Sequence, residues 1–190
     1  MQRAVDVLNQ GLHGYEVSVD ANGVLSLARN GVQGPASKQE QAMYDHLSMI
    51  IDDPAEVRIK VVENKRLILG GNFVKEQIDI ADVEAFGCPA RGASAQSVLM
   101  HELSEQYAKQ ALGENDFSTA HRYAIGVEGE IAGAHRGTDR WQNNDKRMYV
   151  NMPYIYDDGS VTITTVSLKP NYTDLRIYRA ESTVQLYNQY

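Results

Sequence analysis

The sequence predicts a single α+β domain spanning residues 1–190: a small mixed sheet, a pair of consecutive helices, and a C-terminal antiparallel meander. Three patterns predict it. Apolar and polar residues alternate in short stretches before residue 80, helical periodicity runs through 94–112 and again to about 133, and alternation returns from residue 148 onward. At 190 residues, with 43% hydrophobic and 23% charged side chains, the chain can bury one core without disulfides or metal as obligatory staples.

Taken in order, residues 15–28 form two alternating segments around Asn22-Gly23, a hairpin signal. Ser37 followed by Glu40 is a capping-box pattern, and Ala42, Met43, Leu47 and Ile50 recur at helical spacing until Asp52-Asp53-Pro54 stops them. His46 on this helix is expected to be structural or solvated, and His13 to lie at the surface. Val57, Ile59 and Val61 alternate with Arg58 and Lys60, and strand-like stretches follow near Leu67–Leu69 and Val74–Ile80. Glycines at 70, 71, 87 and 92 punctuate them. Strands are expected again at Met148–Tyr156, Val161–Leu168 and Leu175–Tyr178, with turns at Asp158-Gly159 and Lys169-Pro170-Asn171. Seven of the eleven tyrosines fall between Tyr149 and Tyr190, where half-buried strands favour them more simply than a binding surface does.

Residues 94–112 carry the chemistry. Ser94 is a plausible N-cap and Gly113 a C-terminal stop. At about 100° per residue, Met100, Leu103, Tyr107 and Ala111 share one face, while Val98, His101, Glu105, Ala108 and Leu112 share another nearly opposite. A helix apolar on two sides is expected to be buried, so His101 and Glu105 need partners. Four residues apart, they lie one turn from each other, the spacing by which a helix offers two ligands to one metal. Glu102 follows the first of them, the position held by the general base in His-Glu-x-x-His metallopeptidases. The next helix, starting at Asp116 or Ser118, brings Phe117, His121, Ala124, Ile125, Glu128, Ile131 and Ala132 to one side, so a histidine and a carboxylate interrupt an apolar stripe. A short connection favours antiparallel packing of the two helices, and Gly126, Gly129 and Gly133 suggest a closely packed neighbour. Zinc is expected to be held by His101, His121 and one or both of Glu105 and Glu128, with Glu102 as catalytic base and His135 as a substitute ligand. A buried ion-pair network in a non-catalytic interaction module is the competing expectation. A metal-dependent hydrolase of another bond is a third.

The segment Gly-Ala-Ser-Ala-Gln-Ser-Val-Leu-Met-His-Glu-Leu-Ser-Glu-Gln-Tyr, followed by Ala-His-Arg-Tyr-Ala-Ile-Gly-Val-Glu-Gly-Glu, resembles the zincin-like toxin domains at the C-termini of Rhs/YD-repeat polymorphic toxins. The resemblance is most specific over residues 92–137. It implies a zincin-like fold in which the strands before His101 form the sheet and an edge strand binds an extended substrate by main-chain pairing. It also implies a zinc peptidase effector with a protein or peptide substrate, delivered into a target cell within a larger carrier and neutralised at home by a cognate immunity protein. Glu105 stands where the usual motif has its second histidine, so either a carboxylate serves as ligand or His121 supplies the imidazole.

Bulk properties narrow the partners. A net charge of −7 disfavours broad phosphate-backbone binding, so nucleic acid is not expected. Cys88 is the only cysteine, which excludes an intrachain disulfide. Residues 1–12 lack the apolar core of a signal peptide, and no later run approaches the roughly 18 apolar residues that span a bilayer.

Overall fold

Twelve of the sixteen residues of the helix Ala95–Gln110 are buried in the computed structural model, which describes residues 1–31, 37–65, 68–144, 147–168 and 177–185. In chain order the elements are α1 (Gln2–Leu8), β1 (Tyr15–Val19), β2 (Leu25–Arg29), α2 (Lys38–Asp52), β3 (Lys60–Val62), β4 (Gly71–Asn72), β5 (Gln77–Asp79), α3 (Ile80–Glu84), α4 (Ala95–Gln110), α5 (Phe117–Ala132), β6 (His135–Arg136), β7 (Arg140–Asn144), β8 (Arg147–Ile155), β9 (Val161–Leu168) and β10 (Ile177–Gln185). The architecture is α+β, as the sequence predicts. Helix α4 packs against α1, α2, α3 and α5, which is why it needs apolar residues on both faces.

Local chemistry explains the boundaries. Ser94 and Ser97 cap α4 reciprocally, each side chain accepting from the other's backbone N–H. Ser37 accepts from the Glu40 N–H to start α2, but the Glu40 carboxylate reaches past the helix and accepts from His13 N and Gly14 N instead. Asp116 caps α5 through Thr119 N, and Gly133 ends it at φ +66°, a conformation glycine adopts freely. Of the other helical glycines, Gly129 sits where a Cβ would lie 2.8 Å from the Ala134 carbonyl oxygen, so the chain leaving α5 folds tightly back on it; Gly126 is exposed and meets nothing.

Three sheets surround the helices. β1 and β2 form the hairpin around Asn22-Gly23. β3, β5 and β4 form a mixed sheet in that order, with β3 and β5 parallel and β4 an antiparallel edge strand. β10, β9 and β8 form the meander, and the far edge of β8 is shared by β7 at Arg147–Asn151 and β6 at Tyr154–Ile155. In β9, Thr162, Thr164, Val166 and Leu168 point inward at every second position.

Several expectations need correction. The alternating stretch 57–61 pairs only over Lys60–Val62, and within Val74–Ile80 the strand is limited to Gln77–Asp79. Asp79 then caps α3 by accepting from Ala81 N, so Ile80 is already helical despite its β-branched side chain. The first residues form a short helix whose Ala4, Val5, Val7 and Leu8 enter the core, a segment too short and too weakly capped to announce itself in sequence. The final strand runs from Ile177 to Gln185, beyond the expected Tyr178; the turn at Lys169-Pro170-Asn171, Leu67 and the start of the Leu175–Tyr178 stretch lie outside the described residues. Among the described residues, no helix is long and apolar enough to cross a membrane.

Candidate metal centre

His101, midway along α4, meets Glu128 near the end of α5, whereas Glu105, one turn further on, meets His121 near its start. The two helices are therefore antiparallel, and their inward stripes face each other. Ser104, Ala108, Ala120 and Ala124, all buried, are small enough to let the helices approach.

At the centre of this contact, His101 Nε2 and His121 Nδ1 are 3.1 Å apart, His121 Nδ1 and Glu105 Oε2 3.1 Å, and His101 Nε2 and Glu105 Oε2 3.8 Å. Three atoms so spaced lie on a circle of about 2 Å radius, the length of a Zn–N or Zn–O bond. Among the described residues, His101, Glu105 and His121 are the group that could hold a metal ion. His101 and Glu105 are buried, and His121 is half-buried beneath the ring of Phe117, which stacks on it at 5.1 Å between centroids.

Behind His101 lies a buried polar relay. Its Nδ1 is 2.9 Å from Glu128 Oε2, leaving Nε2 to face the cluster. The other Glu128 oxygen accepts from the Tyr154 hydroxyl, and Arg136 Nε lies 3.1 Å from Oε2. Arg136 Nη1 donates to the Gly137 carbonyl and pairs with Asp139 at 2.6 Å. A carboxylate holding the far nitrogen of a ligating histidine fixes its tautomer and ring orientation.

The electrostatics follow from this crowding. Burial works against a charge on His101, but the carboxylates of Glu105 and Glu128 outweigh it and push the imidazole up to about 10. Burial likewise opposes ionisation of Glu128, yet Arg136 and His101 bring it down to about 2. Glu105 is lowered because His101 and His121 overcome its desolvation. The position between these groups is one where positive charge is stabilised.

A cavity of about 490 Å³ opens onto the cluster. Its walls are largely apolar, with Val98, Phe86, Val150, Met152 and Val166 inside and the exposed rings of Phe117 and Trp141 near solvent. Four carboxyl groups line it, from Glu102, Glu105, Glu128 and Asp139, and they outnumber the two groups that can carry positive charge there, the guanidinium of Arg136 and the imidazole of His101 raised above its usual range. Glu102 points from α4 toward β4 and is half-buried. Its carboxylate occupies the space that side chains at residues 70 and 71 would need: a Cβ on Gly70 would lie 2.8 Å from Oε1, and one on Gly71 would overlap Oε2. Burial, partly offset by His101 and reinforced by Glu105, Glu128 and Asp82, pushes this carboxyl up to about 8.

Of the residues the sequence singles out, His101, Glu105 and His121 converge as donors, Glu102 lines the same cavity, and Glu128 stands behind His101, outside the donor cluster. His135 is exposed on β6 and does not line the cavity. His46 pairs with Glu130 at 2.8 Å, a surface role. Sequence reasoning missed Tyr154 and Arg136, on β8 and β6 of the C-terminal sheet, and Asp139, in the loop between β6 and β7. Nothing local in the sequence marks Arg136, three residues after the helix-ending Gly133, as a buried cation. No protein-family model, curated protein or solved structure matches the chain.

Proposed function

We propose that this domain is a zinc-dependent metallohydrolase, a zincin-like peptidase toxin or effector that works as part of a larger carrier polypeptide. The observation that carries the reading is the donor triangle of His101, His121 and Glu105, sized for a first-row metal and set in a cavity with surplus negative charge. Two imidazoles and one carboxylate are a catalytic zinc ligand set, which leaves a fourth position for water or substrate. Bound zinc would supply a Lewis acid that polarises a carbonyl and lowers the pKa of water.

The chain's own residues account for the rest. Glu128 orients His101, and Arg136 and Tyr154 hold Glu128 ionised and in place. Glu102, on the helix turn of the ligands and facing the cavity, would be returned toward the carboxylate form by the charge of a bound cation, and in that form it receives the proton of the attacking water and returns it to the leaving amine. β4 borders the cavity through Gly71 and offers an edge alongside which an extended polypeptide can lie. The apolar walls favour a substrate with a large apolar side chain near the cleaved bond. A cognate immunity protein in the producing cell would block this cleft.

One observation favours a metal-free reading: a proton on His101, together with Arg136, neutralises part of the carboxylate charge unaided. Such a network would make the domain a non-catalytic interaction module. Incubation of the purified protein with mixed unfolded proteins and with nucleic acids separates the readings. The expected result is proteolysis that stops on chelation and returns with zinc; nucleic-acid cleavage alone would transfer the site to another bond, and zinc-loaded protein without any hydrolysis would contradict the enzyme. Gly71→Ala is a finer probe. The added methyl displaces the Glu102 carboxylate, so turnover is expected to fall about tenfold or more with unchanged zinc content, as measured by peptide hydrolysis beside elemental analysis.

A further inference from the structure

The small sheet has two unlike faces. Val61 and Ile78 pack inward on the core, while the opposite face carries a concavity of about 530 Å³ lined by Lys60, Val62, Lys65, Ile68, Asn72, Lys75 and Gln77. The register pairs Lys60 with Gln77 and Gln77 with Asn72, so these three side chains lie in one row across β3, β5 and β4. Lys65 and Lys75 flank the row from the segments that follow β3 and β4. Val62 and Ile68, both buried, form an apolar floor.

We propose that this face is a docking site for an acidic segment of a polypeptide. The neighbouring acids are committed elsewhere: Glu63 pairs with Arg3 at 2.7 Å, Glu76 with Lys109 at 3.0 Å, and buried Asp79 accepts from the backbone of Asn64, Lys65 and Ala81. Among the described residues, the ammonium groups of Lys60, Lys65 and Lys75 have no ion-pair partner. In a chain of net charge −7, three unneutralised ammonium groups around one concavity attract carboxylates selectively. The Gln77 carboxamide both donates and accepts, and the Asn72 carboxamide, whose oxygen accepts from Lys75 N at 2.9 Å, keeps its NH2 to donate, which suits a peptide backbone; the apolar floor suits side chains between the acids. A nucleic-acid strand fits less well, because the concavity has no aromatic ring on which a base can stack and the chain as a whole repels a polyanion.

Position adds to the inference. Gly70, Gly71 and Phe73 line the metal-site cavity, whereas Asn72 between them lines the lysine concavity. The two sites thus lie on opposite sides of one edge strand. Binding there does not require the metal, so it stands apart from the proposed hydrolysis.

The test is fluorescence anisotropy with a labelled peptide alternating glutamate and valine, a matched lysine–valine peptide, and a labelled single-stranded oligonucleotide. The acidic peptide is expected to bind, to weaken at least about tenfold with Lys60→Glu, Lys65→Glu and Lys75→Glu combined, and to release in high salt. The corresponding triple change to glutamine should give a smaller loss, providing a second arm should charge reversal disturb folding. His101→Ala should leave binding intact, which keeps this result independent of the metal centre. Binding unaffected by either triple variant, preference for the oligonucleotide, or no acidic-peptide binding at millimolar concentration would each overturn the proposal.

Discussion

Glu102→Gln is expected to lower peptide turnover by about 10²–10⁴-fold, the usual contribution of a positioned general base, while zinc content and melting temperature stay at the wild-type level. Glutamine keeps the length and planarity of the side chain, so it still fits beneath Gly70 and Gly71, but it cannot take a proton. Because Glu102 lies outside the donor triangle, ligation has no need of it. KM should change little if the loss is chemical, which distinguishes a base from a substrate-binding group. Turnover equal to wild type in this variant would remove Glu102 from the mechanism.

The largest structural effect is expected from Glu128→Ala. That change leaves Arg136 buried without its main counter-charge, strips the Tyr154 hydroxyl of its acceptor, and frees the ring of His101. Removing one partner of a buried ion pair costs about 3–5 kcal/mol, and for a chain of this length that corresponds to a fall in Tm of roughly 10 °C. A double change with Arg136→Met should cost less than the sum of the single changes, since it removes the uncompensated charge with its partner. Additive losses would contradict the coupling. The same residue predicts an acid limb for the zinc-free protein. Glu128 is held at about 2, below the ordinary carboxylate value, so its stabilising contribution is full above about pH 4.5 and is lost as the pH falls toward 2.

What the sequence made legible was the part governed by local periodicity. His101 and Glu105 are one turn apart on one helix, and His121 and Glu128 are two turns apart on the next, so a helical period alone aligns all four on facing stripes. The same reasoning placed Phe117 on the apolar stripe, yet it is 50% exposed, because the stripe there faces an open cavity and the ring instead covers His121. Periodicity says which residues share a face, and the surroundings decide whether that face is covered. Arg136, Asp139 and Tyr154 were illegible for a different reason: their roles depend on the pairing of β6 with β8, a non-local register that no local pattern announces. The misread stretch Val74–Ile80 shows a third limit: residues 73–76 form the turn between β4 and β5, with Glu76 at φ +55°, and at the other end the carboxylate of Asp79 stops the strand by capping a helix.

Whether the His101–Glu105–His121 triangle holds zinc is decided by elemental analysis of protein purified from zinc-supplemented medium, for the wild type and for His101→Ala and His121→Ala, with circular dichroism to verify folding. One zinc per wild-type chain is expected, with stoichiometric zinc lost in both folded variants. A folded wild-type protein that retains no zinc, or a His121→Ala variant that binds it as tightly as wild type, would contradict the donor triangle on which the proposed function stands.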